Sequence, residues 1–143
     1  MSTEENKALV RRFVAEVISQ GDLAVVDDLL AATYTYHGPG MEVSGPEGMK
    51  HLFTMLRTAF PDWAETIEEL IAEGDTVVFR VTGYGTHHGE FLGIPPTGQQ
   101  VTVPGIDIVR IAGGKLVEHW ANFDQLGLLQ QIGAIPAPGQ RSP

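Results

Sequence analysis

Between Trp63 and Asp124 the chain keeps a period of two through four long segments, and no other feature limits its fold so severely. The first runs from Trp63 to Ala72, and Gly74-Asp75 turns the chain into the second, Thr76 to His88, with Val77, Phe79 and Val81 on one face. Gln99 to Ile111 is the third segment. After the turn dipeptide Gly113-Gly114, Lys115 to Asp124 is the fourth. Between the second and third, Gly93-Ile94-Pro95-Pro96-Thr97-Gly98 reads as a loop that is exposed or overhangs a cavity. Long alternating segments in series form a strand meander with one buried face.

Everything before Trp63 reads mainly as helix. Ser2 followed by Glu5 is a capping-box pattern, and Leu9, Val10, Phe13, Val14, Val17 and Ile18 then recur at helical spacing until Gly21. Asp22 caps a shorter second helix carrying Leu23, Val26, Leu29 and Leu30. Thr33 to His37 is β-branched and aromatic, a short strand, and Gly38-Pro39-Gly40 breaks it. Ser44-Gly45-Pro46-Glu47 opens a third helix with Met49, Leu52, Phe53, Leu56 and Phe60 on its apolar stripe, and Pro61 stops it. A short terminal helix carries Leu126, Leu128, Leu129 and Ile132. Helices grouped ahead of an antiparallel meander predict an α+β fold, with N-terminal helices packed on one face of a curved, mostly antiparallel sheet. Such a sheet encloses a cone, and the cone's open end is the natural ligand site.

The 143 residues predict one domain over 1–135, with the Pro/Gly-rich residues 136–143 as a flexible tail. A formal net charge of −9 with no basic cluster argues against nucleic acid and against an anionic membrane surface. No cysteine is present, which removes disulfides, thiolate metal sites and thiol nucleophiles. The opening MSTEENK is polar and acidic and no apolar run approaches about 18 residues, so the cytoplasm is the expected compartment. Glycine spacing fits no phosphate cradle and no serine elbow, and no third ligand stands near His87 and His88 for a metal.

Candidate chemistry concentrates in Lys115 to Asp124, KLVEHWANFD. Strict alternation places Leu116, Glu118, Trp120, Asn122 and Asp124 on one face and Val117, His119, Ala121 and Phe123 on the other. A Trp, an Asn and an Asp in register suit a pocket wall that is apolar with a few placed polar groups. On this parity Trp120 faces inward, and His119 joins it only if a bulge intervenes.

Three patterns together carry a resemblance: Ala59-Phe60-Pro61-Asp62 ending the third helix, the stretch GTHHGEFLGIPPTG from Gly85 to Gly98, and GKLVEHW from Gly114 to Trp120 with Asp124-Gln125-Leu126-Gly127-Leu128-Leu129. They resemble the SnoaL-like polyketide cyclases, the ester cyclase group of the NTF2-like (cystatin-like) superfamily, over residues 4 to 133. The resemblance implies a cofactor-free intramolecular aldol condensation that closes a ring of a polyketide ester. It also implies that Asp124, matching the family's aspartate at the end of the last long strand, is the general acid/base.

Physical logic supports an acid of that kind. Abstracting a proton α to a carbonyl needs a carboxylate whose affinity for protons is raised by apolar surroundings, and Trp120 and Phe123 would supply them. The enolate needs a donor, for which His119, His87, His37 and Asn122 are candidates. His87 matches the histidine of the family's Gly-Thr-His-x-Gly-x-Phe stretch. Arg80 lies among Val77, Val78, Phe79 and Val81 and needs an acid, which Asp107 on the next strand would provide; the pair is structural, or it anchors a substrate oxygen. Phe60 and Trp63 belong to the core or line the cavity, and Tyr34 and Tyr36 are phenol donors of undecided parity.

Plainer readings stand beside these. Asp124 precedes a helix and is placed to cap it. His119 also fits a hydrogen-bonded structural histidine. Epoxide-hydrolase-like members of the fold need an Asp two residues after an Arg, where this chain has Thr82 after Arg80; ketosteroid-isomerase-like members need a Tyr on the first helix, which has none. A non-catalytic binder of an apolar small molecule is the alternative from a different class. The sheet face left uncovered by helices predicts a homodimer.

Overall fold

The computed structural model describes residues 2–139. Helix α1, Thr3–Arg12, opens with the capping box expected at Ser2 and Glu5, whose side chain and backbone exchange both bonds. It continues as wider π-helical turns over Phe13–Ser19. A 3₁₀ turn at Leu23–Val25, capped by Asp22, leads to the short α2, Val26–Leu29. Strands β1, Leu30–Gly38, and β2, Met41–Ser44, precede α3, Gly45–Ala59. The long strands follow: β3 Ala64–Glu73, β4 Thr76–Thr86, β5 Gln100–Ala112 and β6 Lys115–Phe123, then α4, Gln125–Gln131.

The six strands form one sheet in the order β2-β1-β6-β5-β4-β3. All neighbours are antiparallel except β1 and β6, which run parallel. The α+β class and the antiparallel meander are as expected. Strand β2 and the parallel pairing were not, because Gly38 and Gly40 punctuate the sequence and the alternation of Met41 to Ser44 lasts only four residues before the Gly45-Pro46 helix start. Ser44 stands at the N-cap of α3 but makes no side-chain capping bond, so that helix start rests on Pro46 and Glu47 alone.

The helices close one face. Val10, Phe13, Val14, Val17 and Ile18 from the first helical segment meet Met49 and Phe53 of α3 over the inward side chains of the sheet, including Tyr34, Phe79 and Val109. That shared burial of apolar area drives the fold, at about 25 cal/mol per Å² removed from water. The registers put the ends of β1, β4 and β6 at one rim with the starts of β3 and β5. At that rim stand Phe60, Trp63, His87, Val101 and Leu128; the Gly74-Asp75 and Gly113-Gly114 turns define the opposite end. Residues 140–143 of the expected tail lie outside the described residues; before them, Gln130 Nε2 donates to the Pro136 carbonyl, 3.3 Å. No helix among the described residues is long and apolar enough to cross a membrane.

Candidate active site

The decisive local feature is a bulge in β6. Ile111 pairs with Leu116 but Arg110 pairs with Glu118, so one residue of β6 is left over at Val117. Leu116 faces inward, and the extra residue flips the parity beyond it. His119 and Ala121 therefore face the interior, while Trp120 and Asn122 face out. The inward Trp120 expected from strict alternation is corrected: its indole is 38% exposed and stacks on His37 at 5.6 Å on the outer side of the sheet. His37 is corrected with it. Its imidazole lies between Glu118, 2.9 Å, and Glu42, 3.3 Å, rather than at an interior donor position.

Inside, His119 is 2% exposed and holds a chain of three side chains. Its Nε2 lies 2.7 Å from Asp107 Oδ2, and Tyr34 Oη lies 2.8 Å from its Nδ1. Burial pushes the Tyr34 phenol well above its ordinary range, so that hydroxyl keeps its proton and is available to donate to Nδ1. A ring that accepts at Nδ1 carries an N–H at Nε2, the nitrogen that faces Asp107. Phe13, Phe79 and Tyr36 pack around the ring, with Tyr36 edge-on at 5.0 Å. Tyr34 and Tyr36 share the inward parity of β1.

Two further groups face the same interior. The Tyr36 phenol is pushed up by burial and by the charges of Asp107 and Glu65, so it is a hydroxyl donor rather than a base. Glu65 lies on the inward parity of β3 beside Trp63, whose Nε1 donates to its Oε2, 3.1 Å. Desolvation, then the Asp107 charge, raises this half-buried carboxyl to about 7, against the Trp63 bond that lowers it. Among the described residues, Asp107 Oδ1, Glu65 Oε1 and the Tyr36 hydroxyl accept or donate no hydrogen bond within the protein. Three groups in mutual electrostatic reach, each with an atom free of protein hydrogen bonds, are equipped for proton transfer.

Asp124 stands elsewhere. Its carboxylate accepts from the Gly127 backbone N–H, 2.8 Å, as the N-cap of α4, and the residue is exposed. The inward orientation expected of it is corrected in favour of the capping reading. Arg80 is also corrected: it points outward and approaches Glu69 at 3.5 Å, because Phe79 takes the inward position beside Asp107. His87 is fully buried at the rim, where its Nδ1 accepts from the Thr97 backbone N–H, 3.3 Å, with Thr97 Oγ1 at 2.9 Å. Its proton is thereby placed on Nε2, buried beside Phe60 with no partner among the described residues. Phe60 and Trp63 are buried in the core at that rim, the first of their two readings. Of the expected set, the fold thus gathers His119 and Asp107 at mid-depth and His87, Phe60 and Trp63 above them.

Glu65 was missed, whereas Tyr34 and Tyr36 were expected as phenol donors and their shared inward parity is now fixed. Glu65 sits in AETIEEL, which reads as an acidic solvent strand, and only its match in parity to Trp63 marks it as inward. Two surface clefts, of about 450 and about 250 Å³, lie at the hairpin-turn end beside Asn6 and between Gly21 and Arg57. Neither reaches His119 or Asp107.

Known proteins bring the same frame into view. An aklanonic acid methyl ester cyclase, DnrD of Streptomyces peucetius, is 33% identical over 138 residues, 93% of this chain and 92% of that protein. A nogalonic acid methyl ester cyclase of Streptomyces nogalater is 32% identical over 93 residues, 63% of this chain and 68% of that one. Among solved structures, TsrD of Streptomyces laurentii superimposes with a TM-score of 0.85 at 32% identity, covering 94% of this chain and 99% of that one. A SnoaL-like protein of Jannaschia sp. CCS1 gives 0.86 at 28%, covering 94% and 95%. With the SnoaL family model matching residues 8–132, the chain belongs to the SnoaL-like polyketide cyclases.

Proposed function

We propose that the protein is a polyketide ester cyclase in which Asp107, not Asp124, is the base. The curated relatives are cyclases of aklanonic and nogalonic acid methyl esters, which supports an aromatic polyketide ester as substrate. The observation that carries the assignment of the base is the Asp107 carboxylate, with one oxygen on the His119 N–H and the other free in an aromatic interior.

The chemistry follows from that arrangement. The free oxygen takes a proton from the carbon between two activating carbonyls, and the resulting enolate carbon attacks a ketone of the same molecule. His119 does not touch substrate in this scheme. It is a positioning residue, fixed in turn by Tyr34, that keeps the carboxylate oriented. Tyr36 donates its hydroxyl to the enolate oxygen, and the unpartnered His87 Nε2–H at the rim binds a substrate carbonyl, relieving a buried donor that otherwise costs about 1–3 kcal/mol. All atoms of the ester remain in the product, so no co-reactant or cofactor is required.

The test is turnover of aklanonic acid methyl ester by wild type and by Asp107→Asn, with ligand affinity followed in parallel. Loss of turnover by about 100-fold or more with affinity retained supports the base. A wild type that binds the ester without converting it favours the non-catalytic binder instead.

A further inference from the structure

Proton abstraction by Asp107 leaves an alkoxide to be quenched when the new ring closes. A second interior carboxyl stands free for that step. Glu65 faces inward from β3, its Oε1 has no partner among the described residues, and its Oε2 is held by the Trp63 indole N–H. The indole is itself fixed. Gly83, which pairs directly with Glu65 across β3 and β4, leaves the space the ring fills, since a Cβ there would meet the ring at 2.3 Å; a Cβ at Gly85 would meet it at 2.9 Å. The Glu65 backbone is pinned as well, donating its N–H to Ser19 Oγ, 2.9 Å. An acid fixed at both ends of its own residue and free at one oxygen is placed to transfer a proton, not to balance a charge.

We propose that Glu65 is the general acid of the ring closure, delivering its proton to the ketone oxygen as the carbon–carbon bond forms. This rests on the cyclase reading with Asp107 as base. In the balanced step, Asp107 takes the α-proton and the enolate carbon bonds to the ketone carbon. The electron pair of the C=O moves onto oxygen, and the Glu65 O–H proton goes to that oxygen. Asp107 is then protonated and Glu65 charged; transfer of the proton from the first to the second, directly or through water, restores both. Two carboxyls in different surroundings divide the acid and base roles between them.

The supporting electrostatics come from three strands. Glu65 meets the charge of Asp107 from β5 and the neutral Tyr36 hydroxyl from β1, with Trp63 beside it on β3; the Arg57 guanidinium of α3 donates instead to the carbonyls of Ile18, Ser19, Pro61 and Trp63. A carboxyl raised to about 7 by burial first and by Asp107 second is protonated in a useful fraction near neutral pH.

The experiment follows two events on aklanonic acid methyl ester in deuterated buffer: exchange of the α-proton and appearance of the cyclised product. Glu65→Gln is expected to exchange within about threefold of wild type while product formation falls about 100-fold or more, the usual weight of a general acid. Glu65→Asp is expected to recover part of that loss. Wild-type product formation falls as pH rises through about 7, and the Glu65→Gln variant loses that limb. Cyclisation by Glu65→Gln at the wild-type rate overturns the proposal, as does a common loss of exchange and cyclisation. Asp107→Asn separates the two claims: abolished exchange supports the base, and exchange at the wild-type rate overturns the base and the division of labour with it. A wild type inert in both assays overturns both.

Discussion

Asp107 and His119 meet diagonally across the sheet: Asp107 pairs with Ala121 and His119 with Val109, yet their side chains close to 2.7 Å. The imidazole tilts along β6 to reach the acid, and Tyr34 holds its other nitrogen. Removing the imidazole therefore strands two polar groups at once. His119→Ala is expected to lower unfolding free energy by about 3–5 kcal/mol, the cost of breaking a buried ionic or charge-assisted pair from one side. Urea denaturation checks this. In a double-mutant cycle with Asp107→Asn, a coupling of about 1 kcal/mol or more is expected, because the second change removes the charge that the first left bare. Independent, additive losses would mean that the two side chains do not support one another.

Asp124 is expected to matter for stability and little for turnover. Its carboxylate satisfies the Gly127 N–H at the start of α4. Asp124→Ala should cost about 0.5–2 kcal/mol, whereas Asp124→Asn, an equally good cap, should be close to neutral. Gly127→Ala offers an independent route to the same loss, since a Cβ there would press on the Asp124 carboxyl. Both Asp124 variants should turn over the ester within about twofold of wild type. A collapse of turnover in Asp124→Asn with unchanged stability would return the catalytic role to this residue.

Why the sequence misdirects at Asp124 and Trp120 is a matter of one residue. Alternation along Lys115 to Asp124 is regular on paper, and nothing in KLVEHWANFD announces that Val117 bulges out of register. A bulge is a property of two strands together, so it is invisible in either alone. The same holds in β3, where the register slips between Ile67 and Glu69 and lets Ile67 and Leu70 both face inward. Features that depend on local chemistry were legible: the Ser2–Glu5 capping box, the Asp22 cap, the Pro61 stop and the Gly113-Gly114 turn. The site is a non-local object. His119 and Asp107 were visible as separate candidates, but Tyr34 and Glu65 become partners only when β1 and β3 are bent toward the same interior.

The outer sheet face invites a second copy of the chain. Ile106 and Ile108 are exposed on β5 next to the Trp120–His37 stack, with Tyr84, Arg80 and Glu69 further along the same side of the sheet. Apolar side chains at the centre with both charges around them suit a self-complementary two-fold contact. We propose a homodimer through this face. Ile108→Glu, which leaves the interior untouched, is expected to shift sedimentation from dimer to monomer at micromolar concentration. A wild type that sediments as a monomer at all concentrations would refute it.

Glu65 also ties stability to pH, and the sign distinguishes it from an ordinary surface acid. Its carboxyl is raised from 4.5 to about 7 in the folded chain, by desolvation first and the Asp107 charge second. Between those values the folded state holds a proton that the unfolded state has released, so stability falls as pH rises through this window and then levels off. An acid with a lowered value, such as Asp62 held by Thr86, contributes in the opposite sense, its stabilisation disappearing on acidification. Glu65→Gln cannot ionise. Relative to wild type, its urea midpoint is therefore expected to improve steadily from pH 4.5 to 7 and to stay offset above that, while Asp62→Asn should show no such trend across the same interval. Because Glu65 is only half-buried, the offset is expected to fall short of that for a fully enclosed acid. A Glu65→Gln curve running parallel to wild type from pH 4.5 to 8 would place the carboxyl in water and remove the physical basis for its role as an acid.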